Sequence, residues 1–197
     1  TRFRKMLRFT AFLAFPAMFG LAMVAHEFII LLISDTWVES IPLLRILCIS
    51  GAFLPFYTMY QNLIISHGRS SLYMWCTIGL IAIQILCVIL VHSRGIIFMV
   101  SVYTAITILW LFVWQILASR LIGLKLREAV KDIVPYFIIS VGIMCAIYFS
   151  TGFINNLILL LIARIILSAV LYLLIMKLCG SKILQEIIVY LGQRRVR

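Results

Sequence analysis

The chain has 197 residues, of which 65% are hydrophobic, and a formal net charge of +11. A soluble domain is only about 45–50% apolar, so this composition excludes an ordinary soluble globular protein. In a soluble protein, such an excess of Lys and Arg would indicate a nucleic acid partner. Here these residues flank long apolar runs and indicate membrane topology, so we expect no nucleic acid partner.

The first predicted element is a hairpin of two apolar arms, residues 9–34 and 41–66, joined by an acidic turn that contains Trp37. About 20 residues at about 1.5 Å each cross a hydrocarbon core about 30 Å thick. Because backbone polar groups find no water in that core, each arm is predicted to be a transmembrane helix.

Further apolar runs follow the hairpin, and they predict spans at residues 72–92, 95–119, 133–149 and 157–178. The predicted fold is therefore an all-α integral membrane protein, a bundle of six transmembrane helices over residues 1–178. Residues 179–197 carry an apolar stripe and a basic end, which indicates an amphipathic interfacial helix on the cytoplasmic leaflet. A frayed tail is the alternative.

Lys and Arg also predict the orientation of the bundle. If the N-terminus is cytoplasmic, the basic residues of the termini and connections fall on the cytoplasmic side, with the exception of Arg94. Both termini are therefore predicted to be cytoplasmic. The basic start leads into a run too long for the apolar region of a cleavable signal peptide, so we expect no such peptide. Because the chain begins at Thr1, we expect it to be a section of a longer protein.

Glu27 is a charged residue inside the first predicted span, on the same helix face as Pro16 and Gly20. A carboxylate at that depth needs a partner or a proton, so the face is expected to meet protein or water rather than lipid. Arg45 lies at a comparable depth in the returning arm. We therefore hypothesise that Glu27 and Arg45 form an ion pair, either as a structural bridge or in proton or ion coupling.

Arg164 lies deep in the last predicted span, and Ser168 and Tyr172 follow at steps of four residues. An arginine near a span centre costs about 2.5–3.5 kcal/mol on insertion scales, so this stripe should face the bundle or a hydrated cavity. A weaker polar stripe in the second span includes Gln61. These four residues are the candidate substrate-binding residues, with contacts between helices as the structural alternative.

The sequence offers little for enzyme chemistry. No GxSxG, HExxH or phosphate-binding glycine motif is present, and its three histidines stand apart. Its five cysteines lie in or at the ends of apolar runs without metal-ligand spacing and are expected to be buried and unpaired. We expect no catalytic residue, no metal site, no cofactor and no enzymatic activity.

Several short motifs of the first hairpin carry a resemblance to a known family. They are FPAMFGL with Pro16 and Gly20, Trp37 in the turn, IPLLRIL opening the second arm, and Gly68-Arg69 after it. In these features the chain resembles, over its whole length, the C-terminal half of Wzx-type polysaccharide flippases of the multidrug/oligosaccharidyl-lipid/polysaccharide exporter superfamily. Arg45 stands where that family often has a neutral polar residue, so the resemblance attaches no function to it.

The resemblance implies the C-terminal part of a two-lobed transporter of 12–14 helices in the bacterial inner membrane. Its substrate would be an undecaprenyl-pyrophosphate-linked oligosaccharide, flipped between leaflets for surface polysaccharides such as lipopolysaccharide O-antigen. Its partners would be membrane lipid and an N-terminal lobe of the same protein. The alternatives are a small-molecule antiporter of the same superfamily, or a membrane enzyme or assembly subunit of polysaccharide synthesis.

Overall fold

The computed structural model describes residues 2–154 and 156–178, so the predicted interfacial helix at 179–197 lies outside the described residues. The helices in this part of the chain are α1 Arg2–Met23, α2 Ala25–Leu32, α3 Ile41–Ser66, α4 Ser70–Val91, α5 Ile96–Ile122, α6 Leu126–Ser150 and α7 Leu157–Leu178. Short 3₁₀ turns at Asp35–Ser40 and His92–Arg94 precede α3 and α5. Six helical segments of the described chain are long and apolar enough to cross a membrane, which confirms the predicted all-α membrane fold.

Most predicted spans agree with the helices, but two differ in an instructive way. The first arm, predicted as one helix, is interrupted at Val24, although the Val24 N–H still reaches the Gly20 carbonyl oxygen at 3.1 Å. Helix α6 begins at Leu126, well before the predicted start at residue 133. Hydropathy detects only the apolar part of a helix, and a charged turn can continue that helix beyond the apolar segment.

The helices form an ordered bundle with α1 at its centre. On one side α1 packs against α3, which packs against α5, and α4 lies outermost against α5. On the other side α1 packs against α6, and α7 contacts both α6 and α2. The hairpin of α1 and α3 therefore joins the two sides, and the last helix returns to the first.

An aromatic cluster holds the centre of the bundle together. Phe15 of α1 is fully buried, and its ring centroid lies 5.5–5.8 Å from those of Phe19, Phe53, Phe56 and Phe137. These separations fall within the range of favourable stacked and edge-to-face pairs. The cluster joins α1, α3 and α6, and thus fixes the elements that carry the polar residues described below.

Candidate functional site

A buried ion pair joins α2 to α7. The Arg164 Nη1 donates to Glu27 Oε1 at 2.5 Å, and the two side chains are only 5% and 4% exposed. An isolated charge in such a place costs several kcal/mol, and each partner here neutralises the other. The other oxygen, Glu27 Oε2, is buried and has no hydrogen-bond partner among the described residues.

Arg164 also binds the end of α6, so that its side chain connects three helices. Its Nε donates to the Thr151 hydroxyl oxygen at 2.9 Å, and its guanidinium carbon lies 4.7 Å from the ring centroid of Tyr148. The ring face of a tyrosine attracts a guanidinium, most strongly where both are desolvated. Neither Tyr148 nor Thr151 was among the predicted site residues. Their three-residue spacing, which places them on one helix face, was the available signal.

The prediction that Glu27 pairs with Arg45 is therefore wrong. Glu27 was expected to need a partner or a proton, and Arg164 from the last helix is its partner. No ion pair or hydrogen bond of Arg45 occurs with the part of the chain that the structure describes, and its side chain is half-buried on α3. Arg164, predicted to bind substrate, therefore occupies the position in the ion pair that the sequence suggested for Arg45.

Tyr172 and Ser168, the other members of the predicted stripe, are buried with Arg164 on α7. The Tyr172 hydroxyl donates to the backbone oxygen of Phe12 at 2.9 Å. In a regular helix the N–H of residue 16 would donate to that oxygen, but Pro16 has no N–H. Tyr172 therefore satisfies a carbonyl that the proline leaves free. The Ser168 hydroxyl donates within its own helix, to the Ile165 oxygen at 2.9 Å.

Gln61, the fourth candidate, is half-buried on α3 and lies beside the polar contact that links α3 to α5. That contact is made by its neighbour Tyr60, whose hydroxyl donates to Gln115 Oε1. Gln115 in turn donates from Nε2 to the Leu124 carbonyl oxygen at 3.0 Å. The structure thus assigns the polar contact between helices to Gln115, and a substrate-binding role for Gln61 stays a prediction.

A second charged cluster joins the start of α1 to the start of α6. Asp132 is 4% exposed at its side chain and accepts hydrogen bonds from Arg4 Nε at 2.6 Å and Arg8 Nε at 2.7 Å. Glu128 lies one turn earlier, 3.4 Å from Arg4 Nη1. Asp132 was not predicted as part of a cluster, because the connection between α5 and the fifth predicted span, which contains it, is rich in Lys and Arg. The four-residue step between the two acids was the available signal.

Two cavities lie beside these residues. A cavity of about 660 Å³ separates α1 and α2 from α7; its wall is largely apolar, and it includes Pro16, Gly20, Ser168 and Tyr172. A smaller cavity, of about 360 Å³, lies between α1, α3 and α6 and contains Arg45 in its wall. Pro16 and Gly20, which the sequence grouped on one face with Glu27, therefore border the first cavity, together with part of the predicted polar stripe.

Comparisons with known proteins give a consistent result. Residues 1–42 match the family model described as a polysaccharide biosynthesis protein. The chain is 24% identical over 139 residues to the teichuronic acid biosynthesis protein TuaB of Bacillus subtilis, covering 70% of this chain and 29% of that protein. It is 38% identical over 50 residues to an uncharacterized membrane protein in the cps region of Klebsiella pneumoniae, covering 25% of this chain and 10% of that protein. No solved structure matches.

The chain spans less than a third of the length of either relative. The family model nevertheless matches the first arm and the turn of the hairpin, residues 1–42, and one of the relatives is named as a membrane protein. The comparisons therefore confirm the resemblance that the sequence indicated, to multi-pass membrane proteins of polysaccharide biosynthesis.

Proposed function

We propose that these helices belong to a transporter that flips a lipid-linked oligosaccharide across the bacterial inner membrane for surface polysaccharide synthesis. In this proposal both termini are cytoplasmic, and the substrate is an oligosaccharide linked to undecaprenyl pyrophosphate. The names of the relatives support the pathway, because one belongs to teichuronic acid biosynthesis and another to a cps region.

The observation that carries the proposal is the cavity of about 660 Å³ between α1, α2 and α7, which opens at the surface of the bundle. A helical anchor has no need of such a space, whereas a carrier of a lipid with a polar head needs a path with both apolar and polar walls. The wall of this cavity is largely apolar, with Ser168 and Tyr172 at one side, and therefore suits the lipid part of such a substrate.

The state of the buried acids also favours transport over catalysis. A membrane enzyme acting on sugars needs a carboxylate or histidine that can exchange a proton with its substrate. Glu27 and Asp132, the buried acids in the described residues, are both bound by arginines. These ion pairs stabilise the bundle rather than prepare an acid or base.

The proposal is tested in a strain that lacks the gene and is complemented with the protein at its natural length. Ala169 lines the large cavity, so Ala169→Trp should fill it and abolish surface polysaccharide while lipid-linked oligosaccharide accumulates in the inner leaflet. Ala146→Trp, at an exposed position outside the cavity, is the matched control and should export normally. Membrane abundance of each variant is measured by immunoblot.

Normal polymer in the Ala169→Trp strain at wild-type abundance would contradict the use of this cavity. Normal polymer in the strain without the gene would contradict the flippase proposal itself. If that strain instead became sensitive to cationic drugs, the small-molecule antiporter would replace the flippase as the better reading.

A further inference from the structure

We propose that Arg45 and the cavity beside it form a second site, which binds the diphosphate of the lipid carrier. This inference rests on the proposed function and goes beyond it, because it assigns the anionic group of the substrate to a particular residue. The site lies between α1, α3 and α6, next to the cavity between α1 and α7, with which it shares Met23 and Met144 in its wall.

The distribution of charge separates Arg45 from the other arginines near the core of the bundle. Arg164 is neutralised by Glu27, and Arg4 and Arg8 are neutralised by Asp132 and Glu128. Arg45 is half-buried on a membrane helix and has no counter-charge among the residues that the structure describes. A half-buried cation without a counter-charge attracts an anion, and we assign that anion to a ligand of the cavity.

The next feature is the shape of the surroundings of Arg45. The cavity of about 360 Å³ lies within the range of volumes that bind small molecules, about 300–1,000 Å³. Apart from Arg45, its wall consists of apolar and aromatic side chains of α1 and α6, among them Phe19, Met144 and Tyr148. No acidic residue lines it, so Arg45 determines its electrostatic preference.

The position of Arg45 along α3 and the apolar wall of the cavity indicate the chemistry of the ligand. Arg45 lies four residues after the start of α3 at Ile41, about 6 Å along the helix axis, and therefore near the level of lipid phosphates. A guanidinium binds phosphate oxygens through two parallel hydrogen bonds. The apolar walls suit the first isoprene units of a polyprenyl chain, which a soluble phosphate lacks. A polyprenyl diphosphate therefore satisfies both the charge and the walls of the cavity.

The experiment measures binding of undecaprenyl diphosphate to the purified protein of natural length in nanodiscs, with undecaprenol and phosphatidylglycerol as competing probes. Arg45→Gln should weaken binding of the diphosphate by about tenfold or more, because a hydrogen-bonded charge is lost. Arg45→Lys should lose less, since it keeps the charge but not the paired geometry. Arg94→Gln is the matched control, because Arg94 contacts Phe98 outside the cavity, and it should bind like wild type.

A further variant, Ala22→Phe, fills the cavity without removing the charge and should weaken both the diphosphate and undecaprenol. Equal affinity of wild type and Arg45→Gln for the diphosphate would overturn the inference. Equally strong competition by phosphatidylglycerol would also overturn it, because Arg45 would then contact bulk lipid only. Either result leaves the proposed function standing when wild-type protein still restores surface polysaccharide to the deletion strain.

Discussion

The ion pair between Glu27 and Arg164 should be the most sensitive point of the bundle to substitution. Replacing one partner leaves the other charge buried, where it was 4–5% exposed in the pair. Breaking a buried pair in this way typically costs about 3–5 kcal/mol of unfolding free energy. The Coulomb attraction between the two charges has a similar magnitude, since unit charges about 4 Å apart interact by about 4 kcal/mol at an effective dielectric constant of about 20.

The two single substitutions should differ in their cost. Arg164→Met leaves Glu27, which can neutralise itself by taking up a proton. Glu27→Gln leaves Arg164, whose guanidinium stays charged at any ordinary pH and keeps only Thr151 and Tyr148 as partners. We therefore expect Glu27→Gln to be the more destabilising. The double variant should be more stable than Glu27→Gln alone, because it leaves no unpaired charge.

The assay is the free energy of unfolding, measured by titration with SDS in mixed micelles, for wild type, both single variants and the double variant. The coupling energy between the two positions should be about 2 kcal/mol or more. Arg45→Gln provides a matched control, because Arg45 is a membrane-embedded arginine that does not bind Glu27. A cycle between Glu27→Gln and Arg45→Gln should give additive costs within about 0.5 kcal/mol.

Two results would refute this reasoning. One is a coupling energy between Glu27 and Arg164 that is indistinguishable from zero. The other is a large coupling between Glu27 and Arg45, which would restore the pairing that the sequence suggested and show that the packing of α7 described above is not the one in the membrane.

Two further predictions concern the contacts that attach α1 to its neighbours, and both use the same titration. Tyr172→Phe should lower the free energy of unfolding by about 1–3 kcal/mol, because the Phe12 carbonyl oxygen loses its hydrogen-bond donor. Adding Pro16→Ala to Tyr172→Phe should recover much of this loss, because residue 16 then has a backbone N–H. Strictly additive effects of the two substitutions would contradict this prediction. Asp132→Asn should lower the free energy of unfolding by about 1–3 kcal/mol, because Asp132 is buried between two arginines. Glu128→Gln, at the exposed acid of the same cluster, should change it by less than about 1 kcal/mol. Equal effects of the two substitutions would contradict a role for the burial of Asp132.

The positions of the helices could be predicted from the sequence with fair accuracy. Helices α3 and α7 have the bounds that the apolar runs indicated, Ile41–Ser66 and Leu157–Leu178. The bend at Val24 could not be predicted, because the backbone there departs from regular helix within an uninterrupted apolar run. The extension of α6 back to Leu126 was missed for the opposite reason, since charged residues form its first turns.

The need of Glu27 for a partner or a proton could be predicted locally, because Glu27 is a charged residue within a long apolar run. Which of Arg45 and Arg164 pairs with Glu27 could not be predicted from the sequence. Both arginines lie inside predicted spans, and their distance along the chain does not show which helices are neighbours in the bundle. Tyr172 illustrates the same limit. Its stripe was recognised, but its partner is a backbone oxygen of α1 that Pro16 leaves free, 160 positions away.

The sequence by itself determined that the chain dissolves in lipid as a bundle of helices, because the transfer of apolar side chains out of water depends on composition along the chain. Only the tertiary structure decided which charges meet. The packing of the helices places α7 against α2 and α6, and a charge in a low-dielectric interior binds the opposite charge that this packing brings within reach. Arg164 was thereby neutralised, and Arg45 was left facing a cavity.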